Sequence, residues 1–486
     1  MTTEVTMQKK LLSGLFWLLL LNLLIKPFWI LGIEVGVQNA VGNEVFGFYF
    51  SIFNLAYIFN ILLDIGITNF NTRNIAQHPQ LIVKHLSGIL AVKLMLLVLY
   101  LLVTFTVGLL LGYDSRQFYL LAFLCLNQFL NSLILYLRSN FEGLLLFKWD
   151  SFISILDRLL MIVICGALLW LPGHPQFQIE YFVYAQTGAY LLTAAMAFFV
   201  LVSKTGFRRL RFNKPFSLVI LKKSLPFALL VLLMASYNRI DPVLLQKLSP
   251  AGLGDHNAGI YASAFRLLDA LTMVAYLVSV ALLPIFSKLT KGGTADQQLA
   301  PTTRLVTSLM LVFSITTAIA LSQMSTPLME LLYTHHIGES AAVFRILIYG
   351  IIPISMTYVY GTLLTAAGRM RQLNILAALT LLINVAVNLF GIPRWGAVGS
   401  AWASLTAQSF MAVTQMVAAI RLFHLPISGG YIIKTTLFTL LITVFSLLPP
   451  ILGIWWLHLV LVVIIALALA VLLKLIDPKE IIETLK

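Results

Sequence analysis

Charge is scarce in this 486-residue chain: Asp, Glu, Lys and Arg together make up 10%, and the acids number only 18. Soluble domains carry about a quarter charged residues. A water-soluble globule could not be covered with so little polarity, which excludes a soluble enzyme and a disordered tail. Cysteine is scarcer still. Cys125 and Cys165 stand far apart inside apolar runs, with no CxxC and no zinc spacing. That excludes a disulfide scaffold and reads as two small core residues. The chain has no GxxxxGKS/T loop, no HExxH helix and no Asn-x-Ser/Thr acceptor, so nothing points to ATP or to a zincin site. The pair His335-His336 beside Glu339 reads as a solvated loop. No metal and no cofactor is expected.

What the chain has in excess is apolar sequence, 60% of all residues, with a mean hydropathy of +0.95. Stretches long enough to cross a bilayer, about 20 residues each, fall near 11–33, 45–67, 86–112, 117–137, 152–171, 181–203, 224–246 and 258–286. Further ones fall near 305–325, 342–366, 373–391, 396–420, 432–448 and 454–473. The expectation is an all-α polytopic membrane protein of about fourteen spans, because strands of a barrel would show short alternating segments instead. The first stretch follows Lys9-Lys10 and holds Asn22, Lys26 and Pro27. It exceeds the roughly 7–15 residues of a signal-peptide core and reads as a retained span.

The net charge of +14 comes from 32 Lys and Arg. In a soluble protein it would point to nucleic acid; here it sorts by loop. With the N-terminus in the cytoplasm, 23 of these cations fall in inner segments, and the outer loops hold only Arg116, Lys247 and Arg394. The positive-inside rule then places both termini in the cytoplasm, and no nucleic-acid partner is expected. Seven of the inner cations (Lys204, Arg208, Arg209, Arg211, Lys214, Lys222 and Lys223) crowd the link between spans six and seven. This link reads first as a topology determinant and second as a contact for anionic lipid.

Gly47-Phe48-Tyr49-Phe50-Ser51-Ile52-Phe53-Asn54-Leu55 opens the second span, and Gly259-Ile260-Tyr261-Ala262-Ser263-Ala264-Phe265-Arg266-Leu267 opens the eighth. Both read G-x-Y-x-S-x-F-x-L. Six spans lie between them, so the copies run in the same direction, as in a parallel repeat. The organisation expected is an N-terminal lobe of six spans (1–205), a basic cytoplasmic link (206–223), a C-terminal lobe of six spans (224–421), and a trailing helix pair with its tail (422–486).

Val41-Gly42-Asn43-Glu44-Val45-Phe46-Gly47-Phe48-Tyr49 with Leu63-Asp64-Ile65-Gly66 resembles the second helix of Wzx-type oligosaccharide flippases. These belong to the superfamily that includes the MurJ lipid II flippases and the MATE drug exporters. Arg138 to Gly143, Leu156-Asp157-Arg158, Leu225-Pro226-Phe227, Arg239-Ile240-Asp241, Leu283-Pro284, Ala366-Ala367-Gly368-Arg369 and Ile392 to Gly399 follow in the same order. The likeness runs from about residue 9 to about 425 and rests on the ordered set. It implies a transporter, not an enzyme, that works by alternating access in a bacterial inner membrane. The cargo implied is a polyprenyl-pyrophosphate-linked oligosaccharide bound for surface polysaccharide such as lipopolysaccharide O-antigen. A polysaccharide polymerase and glycosyltransferases are the partner enzymes so implied.

Ionisable side chains inside spans cost about 2.5–3.5 kcal/mol each on the insertion scale and mark function by default. The cations so placed are Lys26, Lys93, Arg158, Arg239, Arg266 and Arg345; the acids are Asp64, Asp157, Asp241 and Asp269. Arg345 and Lys93 lie near span ends and are expected to snorkel. Asp64 is expected to cap a helix or to meet loop bases such as Arg73. Lys26 and Arg239 lie some fifteen residues, roughly 22 Å, from a cytoplasmic end, and Arg266 about 12 Å from an outer one. These three are the candidate pyrophosphate ligands, although Arg266 has Asp269 three residues on as a local partner. Asp157, Asp241 and Asp269 are candidates for ion coupling or for structural pairing, with Asp157-Arg158 read as an interhelical bracket. Tyr237, Tyr261, Tyr358 and Tyr360 are candidates for stacking on sugars. A cation-lined cavity favours an anionic lipid-linked sugar. The competing reading, a MATE-like cation-coupled exporter of small organic molecules, would call for buried acids in the first span, where this chain has Lys26. A polymerase or ligase would need a large outer loop, and every outer loop here is shorter than about twenty residues.

Overall fold

The computed structural model describes residues 25, 27–78, 80, 82–171, 176–206, 214–290, 297–426, 428–449 and 453–476. All regular structure among them is helical. Eleven helices are long and apolar enough to cross a membrane, or twelve if one bent pair is a single span. The chain divides into two compact units, residues 1–247 and 248–486.

In the first unit a π-helical turn, Trp29–Glu34, runs into α1 (Val35–Val41). Helix α2 (Asn43–Ile58) tightens into a 3-10 segment, Phe59–Leu63, and then stops. Ile65 and Gly66 both take positive φ, 43° and 78°, and α3 (Ile67–Gln77) starts afresh. The single span expected over 45–67 is therefore broken at its end. Next come α4 (Ile82–Leu110), α5 (Ser115–Gly143), α6 (Phe147–Trp170) and α7 (Ile179–Thr205). Helix α5 starts with a reciprocal cap: Gln117 N donates to Asp114 Oδ1 at 2.7 Å, and Asp114 N to Gln117 Oε1 at 3.0 Å. It carries much of the core, with Ile134, Tyr136, Leu137 and Phe141 packed among Leu86, Ile89, Ile153 and Leu201. By contrast α4 shows an apolar outer stripe, Leu94, Val98 and Leu102 at i, i+4, i+8, all exposed. Such a stripe suits lipid and not water.

Helix α8 (Lys214–Arg239) meets α9 (Asp241–Leu248) at a 47° bend. Pro242 explains the break, since proline lacks the N–H and disfavours helical geometry just before it. The seventh span, expected to be continuous over 224–246, is thus bent at Ile240.

The second unit opens with α10 (Gly254–Leu289), followed by α11 (Leu299–Gln323), α12 (Ser325–Leu332) and α13 (Ile337–Leu347). A 3-10 turn, Ile348–Gly350, leads to α14 (Ile351–Ala366). Helix α15 (Met370–Phe423) is one element by hydrogen bonding, yet Gly396 has φ 52° and ψ −129° inside it. A Cβ on Gly399 would lie 2.2 Å from the Gly391 carbonyl oxygen. In a straight helix those two residues would stand about 12 Å apart, so the chain reverses between them and α15 is two antiparallel arms. Finally α16 (Gly429–Ser446) and α17 (Trp455–Leu472) dock on α11. Phe438, Ile442, Val462 and Ala466 meet Val312, Ile315 and Ile319. The expected count of fourteen is not reached among the described residues. Most of the first stretch, 11–33, lies outside them.

Candidate functional site

Two buried charges of the first unit, Lys93 and Asp241, lie at helix breaks, where backbone groups are released. Lys93, midway along α4, is 1% exposed. Its Nζ donates to Ser132 Oγ at 2.8 Å, Asp64 Oδ1 at 3.0 Å and the Leu63 carbonyl at 3.1 Å. The Tyr136 ring lies 5.7 Å away. All three ammonium donors are used, which is the condition for burying a charge. Lys93 does not snorkel, and the partner of Asp64 is Lys93. Asp64 also caps α3, accepting from the Thr68 hydroxyl and, at 3.3 Å, from Thr68 N. The 3-10 ending of α2 leaves the Leu63 carbonyl free for the lysine, so the break and the buried cation explain each other. The side chain of Arg73 lies outside the described residues.

A second network was not expected. Arg138 near the end of α5 holds Asp150 in a two-point contact, Nε to Oδ1 at 2.7 Å and Nη2 to Oδ2 at 3.2 Å. Beside it Asn71 Nδ2 donates to Ser139 Oγ at 2.9 Å and Asn140 Oδ1 at 3.0 Å, and the Thr72 hydroxyl to Glu142 at 3.2 Å. These contacts lock α3, α5 and α6 together. The signal is present in the sequence as a base and an acid twelve residues apart across a short turn.

The expected site residues are distributed as follows. Lys26 lies outside the described residues. Arg239 is the last residue of α8, half-buried, with its guanidinium 5.0 Å from the Tyr57 ring centroid. Asp241, fully buried, is the first residue of α9, so the two flank the bend rather than sharing one helix. Asp157 is buried and pairs with its neighbour Arg158 at 2.6 Å. The pair lies within α6 and interacts electrostatically with Tyr190 of α7 and with Glu34, while Asp157 Oδ1 has no hydrogen-bond partner among the described residues.

In the second unit Arg266 is the thirteenth residue of α10, about 18 Å from its start, and is 7% exposed. Its Nη1 donates to the Tyr333 hydroxyl at 2.7 Å, and that hydroxyl donates to the Ser263 carbonyl at 3.3 Å. Asp269, expected as its partner, is exposed. Arg345 is exposed and bonds Ser325 Oγ at 3.3 Å, which fits snorkelling. Of the candidate sugar-stacking tyrosines, Tyr237, Tyr261 and Tyr360 are buried core residues, and the Tyr360 hydroxyl accepts from Thr307 at 3.2 Å. Only Tyr358 among them is partly open, with its ring 6.0 Å from that of Tyr276.

Among the described residues the chain is a helical bundle with membrane-length apolar helices, an apolar outer stripe on α4 and buried, hydrogen-bonded cations. Comparison with solved structures finds a similar architecture in several membrane proteins. A lipid II flippase MurJ in an inward closed conformation matches with a TM-score of 0.67 at 14% identity, covering 93% of this chain and 98% of its own. A mutant of the Vibrio cholerae MATE transporter VcmN matches with a TM-score of 0.55 at 18% identity, covering 87% and 100%. A MOP superfamily transporter from Pyrococcus furiosus, described as having a binding pocket of reverse polarity that suggests a different function, matches with a TM-score of 0.55 at 16% identity, covering 87% and 96%. At these identities the likeness is one of fold. Among curated proteins no match was found. The profile of the polysaccharide biosynthesis protein family matches residues 11–290, more than half of the chain, and the chain belongs to that family. It is a multi-pass membrane protein of that family, with a fold shared by the MurJ and MATE structures.

Proposed function

We propose that this chain flips a polyprenyl-pyrophosphate-linked oligosaccharide from the cytoplasmic to the outer leaflet of a bacterial inner membrane. The observation that carries the reading is Arg266, a permanent cation buried at mid-helix in an apolar bundle and aimed by Tyr333. A guanidinium placed there costs several kcal/mol of desolvation and offers the fork of donors that suits pyrophosphate oxygens. Arg239, beside the bend of α8 and α9, and Lys26 are the further cations that this reading assigns to the pyrophosphate. The lobes 1–205 and 224–421 work by alternating access, and the lipid tail stays in the bilayer. Both termini face the cytoplasm, and the product is handed to polymerising enzymes outside.

Family membership supports the polysaccharide side of this reading, and the buried guanidinium of Arg266 supports an anion over a cationic drug. The test is surface polysaccharide in a strain that depends on this protein. Arg239→Glu and Arg266→Gln should each abolish its export while the protein accumulates at the normal level in the membrane. Full export by both variants defeats the site. Efflux of ethidium that depends on Asp157 or Asp241 would favour the exporter reading instead.

A further inference from the structure

At one end of the second unit three side chains from separate parts of the sequence come together. His256 stands in the first turn of α10, His336 directly precedes α13, and Glu339 lies in the first turn of α13. His256 Nε2 is 2.8 Å from Glu339 Oε2, and His336 Nδ1 is 3.6 Å from Glu339 Oε1. The two imidazoles meet edge to face with centroids 4.6 Å apart. One ligand atom from each residue lies within 4.8 Å of the other two. Ligand bonds of about 2.0–2.2 Å in a tetrahedron hold their donor atoms roughly 3.3 Å apart, so small side-chain rotations would close the set around one ion.

The backbone prepares this arrangement. His336 has φ 51° and ψ 38°, a left-handed conformation uncommon for any residue but glycine and several-fold enriched for histidine among the rest. The turn that carries it begins at Tyr333, whose hydroxyl is tied to Ser263 and Arg266 on α10. The same helix that supplies His256 therefore anchors the loop that supplies His336. All three side chains keep contact with solvent, His256 at 15%, His336 at 45% and Glu339 at 57%, so an ion can enter without unfolding.

We propose that His256, His336 and Glu339 form a binding site for a divalent transition-metal ion, with zinc as the best-suited class. Two imidazoles and one carboxylate are borderline ligands that suit zinc and its neighbours, whereas calcium and magnesium want oxygen alone. Water completes the coordination. The bound ion staples the start of α10 to the turn before α13, on the face that the loop charges assign to the outside. Neither the site nor its role depends on the identity of the transported molecule.

Tag-free protein in nanodiscs, stripped with EDTA, is titrated with zinc chloride by calorimetry, with magnesium chloride in parallel. One zinc ion per chain is expected, undisturbed by excess magnesium. His336→Asn keeps a residue that tolerates the left-handed backbone but removes the imidazole, and Glu339→Gln alters an exposed carboxylate. Each should weaken zinc binding by at least roughly 10–100-fold, the loss typical of even indirect metal contacts, with unfolding in EDTA unchanged. Absence of zinc binding by the parent protein, or equal affinity in both variants, overturns the proposal.

Discussion

In α2 the Tyr49 ring stacks on Phe53 at 5.8 Å, and in α10 the Tyr261 ring stacks on Phe265 at 5.7 Å. Ser51 bonds back to the Phe48 carbonyl at 3.0 Å, and Ser263 to the Gly259 carbonyl at 3.2 Å. The nine-residue repeat thus builds the same buried face in both units. One position later the copies part. The Asn54 side-chain amide donates to the Phe50 carbonyl, 2.7 Å away within its own helix, whereas Arg266 reaches across 67 residues to Tyr333. Farther on, α2 ends in a 3-10 turn, while α10 continues unbroken to Leu289 despite Pro284. Each unit buries a cation, but by different means. In the first unit it comes from α4 and is neutralised at the break; in the second it sits on the repeated helix and is held by a neutral hydroxyl. Lys93 is compensated by the acid at the break, and Arg266 is fixed in direction by a hydroxyl.

The largest expected effect lies on the compensated side. Lys93→Met leaves the part-buried Asp64 without its lysine and should destabilise the protein by up to about 3 kcal/mol, read as thermal unfolding in detergent. Adding Asp64→Asn should recover most of that loss. If the double variant is no better than the single one, the pair is not the reason for the break. A smaller effect is expected on the other side, where Tyr333→Phe removes a hydrogen bond to a charged group worth roughly 1.5–3 kcal/mol. An unchanged unfolding temperature would show that the hydroxyl does not hold Arg266. The smallest test concerns the shared face. Phe53→Leu and Phe265→Leu should each cost about 0.5–1.5 kcal/mol of ring pairing, with the same sign. Opposite signs would end the equivalence of the two copies.

The membrane class, the helical content and the repeat were all legible in the sequence, because they rest on composition and on residue identity at fixed spacing. The depth of a charge was not. Counting residues from a span end assumes a straight helix. That assumption puts Lys93 within snorkelling reach of water and Asp64 beside loop bases. The positive φ at Ile65 and Gly66 removes it, for the chain turns there and brings Asp64 and the Leu63 carbonyl to the lysine. Arg239 and Asp241 mislead in the same way, since i,i+2 geometry describes one helix and Ile240 separates two. His256 escaped notice for another reason. Its partners are about eighty residues away, and no spacing rule reaches across two helices. Reading Pro242 as a helix boundary would have found the bend, and reading Arg138 with Asp150 as a pair would have found the second network.

The contact between Gly391 and Gly399 has a mechanical consequence. Their backbones touch, so the two arms of α15 are joined at that end with no side chain between them to act as a cushion or a bearing. Arms joined this way cannot splay or slide past one another there without losing the contact. They travel as one stiff lever, and any motion the second unit makes must be taken up at its other joints. A single methyl group at residue 399 would prise the lever apart at its fulcrum.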